Sequence, residues 1–220
     1  MLFRDVLGQE QVKKRLIQSV RDNRISHAQL FFGPEGTGKL PLAIAYAQYM
    51  CCEHPSEDDS CGICPSCIKY NKLAHPDLHF AFPVVNTKKG AGKTVSDHFI
   101  AQWRETVTTN PYISENQWYG VIDAENKQGF ISRNESNEVV RKLSLKSYEA
   151  PYKVLIIWLA EKMNASAANA LLKLIEEPPD RTVFLLVAEH TDQIIPTILS
   201  RTQMIRIAPL EEQAIRSGLL

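Results

Sequence analysis

Between Leu7 and Asn23, apolar side chains fall at Val12, Leu16, Ile17 and Val20, a spacing that gathers them on one face of a helix. Gln29-Leu30-Phe31-Phe32 is a short apolar run that stops at Gly33-Pro34, the pattern of a buried strand entering a glycine loop. A helix is predicted from Lys39 to Cys51, with Pro41 tolerated in its first turn. The alternation then repeats. Strands are expected at Leu78–Phe82, Val154–Leu159, Thr182–Ala188 and Gln203–Ile207, and helices at Asn164–Glu177 and Thr191–Ser200. Asn164 can cap its helix, and Pro178-Pro179 ends it. Strands alternating with helices imply an α/β protein, a parallel sheet covered by helices on both faces.

The stretch from Asn86 to Arg133 fits this rhythm poorly and reads as an insertion. Within it, Gly90-Ala91-Gly92-Lys93-Thr94 reads as a loop tip, because its spacing does not fit a phosphate loop. Ser132 and Glu135 have capping-box spacing, so a helix is expected to resume there over Val139, Val140, Leu143 and Leu145.

The chain has 220 residues, 44% hydrophobic and 23% charged, which excludes disordered and collagen-like classes and leaves room for one large domain plus part of another. Lys plus Arg and Asp plus Glu are 25 each, so no net field draws the chain to nucleic acid or membrane; DNA contact would need a local patch. The longest apolar run, Val154–Ala160, is too short for a bilayer, which takes about 20 residues. No membrane association is expected. Charges at Arg4 and Asp5 sit where a secretory apolar region would begin, so a cytoplasmic address is the expectation.

Gly33-Pro34-Glu35-Gly36-Thr37-Gly38-Lys39 matches the first seven positions of a P-loop and lies between a predicted strand and helix, as that loop requires. Gly33, Gly36, Thr37, Gly38 and Lys39 are the candidate phosphate-binding residues, backbone amides and one point charge. The eighth position, where a hydroxyl would ligate magnesium, is Leu40. The acidic pair that normally ends a partner strand is replaced by Trp158-Leu159, and Glu161 just beyond reads as a solvated first-turn residue. Magnesium thus lacks both protein ligands. Hydrolysis is not expected of this chain even where ATP docks.

Cys52, Cys61, Cys64 and Cys67 follow the spacing C-x8-C-x2-C-x2-C, with Gly62 and Pro65 supplying turns. Four thiolates at this spacing suit a closed, tetrahedral structural zinc site; an iron–sulfur cluster and disulfides are the alternatives. Cys51 is expected to be a buried helix residue. Ser200-Arg201-Thr202 follows a predicted helix, where an arginine ordinarily faces solvent or offsets the helix dipole.

Gly8-Gln9-Glu10, His27-Ala28, the P-loop remnant, the four cysteines, His75-Pro76-Asp77, the run Asn169 to Pro179 (Asn-Ala-Leu-Leu-Lys-Leu-Ile-Glu-Glu-Pro-Pro) and Ser200-Arg201 occur in one order. That order resembles the clamp-loader branch of the AAA+ ATPases, the bacterial loader subunits of DNA polymerase III. The resemblance implies an AAA+ P-loop NTPase-like domain over 1–208, with a zinc module at 51–70 and the insertion at about 86–133. It implies that 209–220 begins a helical lid and that a collar which holds the loader ring together lies outside the chain.

Motor subunits of the branch, gamma and tau, are expected to carry a Thr after the P-loop lysine and an acidic pair; Leu40, Trp158-Leu159 and Ala188-Glu189 depart from that pattern. The sequence is instead similar to the delta-prime type. That likeness implies a non-hydrolysing subunit that helps place the sliding clamp on primer-template DNA beside gamma/tau and delta. By the same likeness Arg201, with Ser200, is an arginine finger for a neighbour's ATP site, although Thr202 stands where the family usually has Cys. The alternatives are a gamma/tau-like ATPase with substitute magnesium ligands and a zinc-containing DNA-binding module with a vestigial nucleotide fold.

Overall fold

The computed structural model describes residues 1–85, 94–125 and 127–218, and the glycine cluster at 90–93 lies outside them. A 3-10 turn at Phe3–Asp5 precedes α1 (Glu10–Arg21), β1 (Ala28–Phe32) and α2 (Lys39–Met50). Then come α3 (Pro65–Asn71), β2 (Leu78–Ala81), a 3-10 turn at Ser96–Phe99, α4 (Ile100–Thr109), α5 (Glu115–Val121) and α6 (Arg133–Ser144). The last part holds β3 (Lys153–Trp158), a 3-10 turn at Ala160–Lys162, α7 (Ala165–Glu176) and β4 (Thr182–Ala188). It ends with α8 (Pro196–Leu199), β5 (Gln203–Arg206) and α9 (Glu212–Gly218).

The strands form one five-stranded sheet in the order β2-β3-β4-β1-β5, with every pair parallel. Because strand side chains alternate between faces, each strand feeds two cores. Phe31, Val154, Ile156, Val183, Leu185 and Val187 face the core under α1 and α2. Leu30, Leu155, Ile157, Phe184 and Leu186 face the core under α6, α7 and α8. α2 is buried along its whole length, which explains why its sequence shows no polar face.

The register sets the site. Phe32 pairs with Ala188 and Trp158 with Val187, so β1, β3 and β4 end together. The residues just past those ends, Gly33–Gly38, Leu159–Glu161 and Glu189, therefore converge at the carboxyl edge of the sheet, where open α/β sheets place ligands.

Some local expectations need correction. The helix predicted over Thr191–Ser200 is split into a 3-10 turn at Thr191–Gln193 and the four residues of α8. Pro196 has no amide to continue a helix and instead opens one at its first position. At Ser132 only half of the capping box forms. Ser132 Oγ accepts from the Glu135 amide at 3.4 Å, while the Glu135 carboxylate turns inward to Ser96, accepting from its N–H and its hydroxyl at 2.6 Å each.

The described part of the insertion is helical and belongs to the core. Trp103 of α4 stacks on Phe82 with ring centroids 4.3 Å apart and lies 5.1 Å from Trp158. Trp118 of α5 meets Trp103 edge-on at 5.2 Å and donates its indole N–H to the Pro83 carbonyl at 2.9 Å.

Candidate functional site

The glycine loop sits between β1 and α2, as predicted, and brings Gly33, Gly36, Thr37, Gly38 and Lys39 together. Gly33 must be small because a Cβ there would lie 2.2 Å from the Ile207 carbonyl oxygen. Gly38 caps α2 at φ +85°, a conformation that favours glycine, and a methyl group on it would meet the Tyr112 ring at 3.1 Å. Gln9 ties the loop to the end of β5: its Nε2 donates to the carbonyls of Thr37 at 3.2 Å and Ala208 at 2.7 Å.

Lys39 is 5% exposed, and its ammonium donates to the Pro34 carbonyl inside the same loop. Thr37 Oγ1 donates to that oxygen at 2.9 Å. Glu189 Oε1 lies 3.6 Å from Lys39 Nζ, forming an ion pair where a phosphate would otherwise neutralise the lysine. Burial pushes the Lys39 pKa down, with Glu189 and Glu161 opposing, and burial pushes Glu189 up, with Lys39 opposing.

The insertion closes the remaining space. Tyr112 covers Gly38 and accepts a hydrogen bond from the Leu7 amide at 2.8 Å. Pro111, Tyr112 and Ile113 meet Leu40, Trp158 and Glu189 around a cavity of about 20 Å³. That volume holds a single water, whereas small-ligand sites span roughly 300–1,000 Å³. Leu40 and Trp158 present no oxygen to a metal.

Glu161 corrects the sequence reading. It is 7% exposed, and its Oε1 accepts the amides of Glu189 at 2.8 Å and His190 at 3.3 Å. Its Oε2 is buried without a hydrogen-bond partner, and burial raises its pKa. The left-handed turn at Leu159, φ 53°, brings it back toward β4. Nothing in the spacing of Tyr112 marked it for this site, whereas Glu161 stood out next to the missing acidic pair but read as solvated.

The four cysteine sulfurs lie within 4.8 Å of one another. Tetrahedral Zn–S bonds of ~2.3 Å imply S···S separations of ~3.8 Å; Cys52 and Cys61 are 3.5 Å apart, and Cys61 and Cys67 3.9 Å. These distances exclude disulfides, whose sulfurs lie ~2.0 Å apart. Amides of Cys61, Cys64 and Cys67 donate to the sulfurs of Cys52, Cys61 and Cys64 at 3.3–3.4 Å, an arrangement suited to thiolate. Burial opposes ionisation of Cys61, but the amides of Ile63 and Cys64 outweigh it and bring its pKa down to about 6. The cluster can hold a tetrahedral ion. Cys51 is buried, as expected, and burial pushes its thiol up to about 12.

His75 and Asp77 are placed structurally. Asp77 accepts the amides of Tyr148, Glu149 and Ala150 at 2.6–2.9 Å, fixing the chain entering β3. His75 Nε2 is 3.2 Å from Glu149 Oε1.

Arg201 and Ser200 lie away from the glycine loop, following α8. Arg201 Nη1 donates to the Thr197 carbonyl at 3.2 Å and the Ser200 hydroxyl at 3.3 Å. Its Nη2 is 2.8 Å from Glu176 Oε1 at the end of α7, and both side chains are 41% exposed.

A parallel sheet with β1 between β4 and β5 and a glycine loop leading from β1 into α2 define a P-loop NTPase-like fold, here carrying an inserted four-cysteine cluster. A solved structure of a gamma subunit-related DNA polymerase III protein from Thermotoga maritima shares that fold, with a TM-score of 0.51, 17% identity, and coverage of 96% of this chain and 48% of that one. The family model described as "DNA polymerase III, delta subunit" matches residues 8–211. The chain belongs to that family, the delta-prime type of clamp-loader protein related to gamma and tau.

The chain is similar to DNA polymerase III subunit delta' of Bacillus subtilis, 30% identical over 214 residues, covering 96% of this chain and 51% of that protein. It is similar also to the tau subunit of Bacillus subtilis, 31% identical over 213 residues, covering 97% of this chain and 30% of that protein. The chain thus spans about half the length of the delta-prime relative and less of tau. Among the described residues, no helix is long and apolar enough to cross a membrane.

Proposed function

We propose that the chain is a non-hydrolysing, delta-prime-type member of the DNA polymerase III clamp loader, which helps place the sliding clamp on primer-template DNA. In this reading it works beside gamma/tau and delta subunits in the cytoplasm. Its contribution to ATP chemistry is Arg201, held next to Ser200 and offered to a neighbouring motor as an arginine finger that stabilises the charge of the transferring phosphoryl group.

One observation carries the reading. The chain's own phosphate loop is filled by its own atoms, with Lys39 engaged by Pro34 and Glu189 and Tyr112 lying over Gly38, while Arg201 remains 41% exposed. The magnesium site is lost at Leu40 and Trp158. In this reading Cys52, Cys61, Cys64 and Cys67, whose sulfurs lie within 4.8 Å of one another, would hold structural zinc, residues 1–208 are the nucleotide-binding-like domain, and 209–220 begin the lid.

A calorimetric titration with ATP, with magnesium and with chelator, separates helper from motor. Absence of binding, or binding indifferent to magnesium, is expected. In a loader reconstituted with the natural protein, Arg201→Ala is expected to slow ATP turnover by at least ten-fold, against the roughly 10³-fold or more that fingers supply elsewhere. Unchanged turnover overturns the finger role.

The second reading, a gamma/tau-like ATPase, is favoured by Glu161 and Glu189. These two carboxylates act on Lys39, the buried Oε2 of Glu161 is unpartnered, and the tau subunit is as similar as delta'. Magnesium-dependent ATP binding is its signature.

A further inference from the structure

We propose that Glu176 is the positioning residue for Arg201, an inference that rests on the finger reading above. Arg201 follows a helix of only four residues, too short to fix a long side chain by itself. Its guanidinium is nevertheless held from both ends: Nη1 by Thr197 O and Ser200 Oγ on its own turn, and Nη2 by Glu176 at 2.8 Å. The contacts on Nη1 come from a single turn and leave the group free to swing. Glu176 supplies the fixed point.

It is the last residue of α7, a helix capped at its start by Asn164 Oδ1, which accepts from Ala167 N at 2.8 Å, and anchored in the core by Leu171 and Ile175. The C-terminal end of a helix also favours a cation. A carboxylate next to a guanidinium could orient it or mask its charge. At 41% exposure water screens the charge far more than it relaxes the geometry, so orientation dominates. The remaining N–H groups of a fixed guanidinium then meet a phosphoryl oxygen without the loss of rotamer freedom that an untethered arginine would suffer.

ATP turnover by the reconstituted loader tests this with Glu176→Ala, Glu176→Gln, Arg201→Ala and the double variant Glu176→Ala/Arg201→Ala. An exposed ion pair of up to about 1 kcal/mol converts to a fall of up to about five-fold. We expect Glu176→Ala to lower kcat about two- to five-fold with KM for ATP unchanged. Glu176→Gln, which keeps an acceptor oxygen, should retain more activity than Glu176→Ala.

Because Glu176 acts through Arg201, its removal should cost nothing further in the Arg201→Ala background. The same fractional loss in that background, faster turnover in Glu176→Ala, or equal losses for Ala and Gln each overturn the inference. A slowed Arg201→Ala with an unaffected Glu176→Ala removes this inference alone. An unaffected Arg201→Ala removes the finger reading and this one with it.

Discussion

The ion pair between buried Lys39 and partly buried Glu189 gives the most direct test of whether the glycine loop is a working site or a sealed one. At 3.6 Å and an effective dielectric constant of about 20, two unit charges attract by about 5 kcal/mol, and taking each ion out of water costs several kcal/mol in return. Burial sets the direction of the balance: it moves the Lys39 pKa down and that of Glu189 up, each toward its neutral form, against their mutual attraction. The charged pair therefore opposes folding.

For Glu189, whose folded pKa is raised, the protonated form is favoured, and its benefit is lost as pH rises through that raised value. For Lys39, whose folded pKa is depressed, the benefit of the neutral form is lost as pH falls through it. At neutral pH both groups are at their costliest. Lys39→Met/Glu189→Leu should then be as stable as the parent or up to about 4 kcal/mol more stable. Glu189→Leu alone should lose about 3 kcal/mol, because it leaves a buried ammonium hydrogen-bonded to Pro34 without its ion-pair partner. Urea unfolding at pH 7 reads both, and with a slope of about 2 kcal/mol per molar the single variant's midpoint falls by about 1.5 M. The excess stability of the double variant should shrink as pH is lowered into the carboxylate range. A double variant less stable than the parent would refute the reasoning, since the pair would then be a net stabiliser.

Opening the loop should restore anion binding: Tyr112→Ala/Glu189→Gln removes the ring over Gly38 and the carboxylate paired with Lys39, and pyrophosphate at ten times its dissociation constant should then raise stability by about 1.4 kcal/mol. The parent should show no such shift, and a silent variant would mean the loop has lost its phosphate geometry as well as its vacancy. Zinc should bind at one equivalent per chain, measured by metal analysis, and Cys64→Ser should lower both metal content and melting temperature; full zinc content in that variant would contradict a four-thiolate site.

The layers and the chemistry-bearing loops were legible because each rests on local rules. Alternation of apolar strands and helices gave the sheet, Asn164 and the double proline bounded α7, and cysteine spacing gathered sulfurs that lie within 4.8 Å. What the sequence concealed depends on returns of the chain. Glu161 looks solvated because a strand-end acidic residue usually is, and only the left-handed turn at Leu159 folds it onto the Glu189 amide. Tyr112 reaches Gly38 from far along the chain, and no periodicity predicts such a contact. Glu135 has ideal capping spacing, yet a buried Ser96 competes for its carboxylate and wins. Local patterns fail where a tertiary partner offers a better hydrogen bond.

Trp158 links these observations. It occupies the end of β3, where an acidic residue would serve a metal, and its indole instead packs 5.1 Å from Trp103 of α4. Trp103 stacks in turn on Phe82 and meets Trp118, so the insertion is anchored to the sheet at the edge where the glycine loop opens. That anchorage is what brings Pro111, Tyr112 and Ile113 over Gly38 and Leu40. A carboxylate at position 158 could not be buried among those rings without a partner. The substitution that removes a metal ligand is thus the same one that seats the cover, and the two changes are coupled by packing. An isolated reversal of Trp158 to Asp should therefore cost several kcal/mol and fail to bind magnesium. Recovery of a metal site would require Leu40 and Tyr112 to be changed as well.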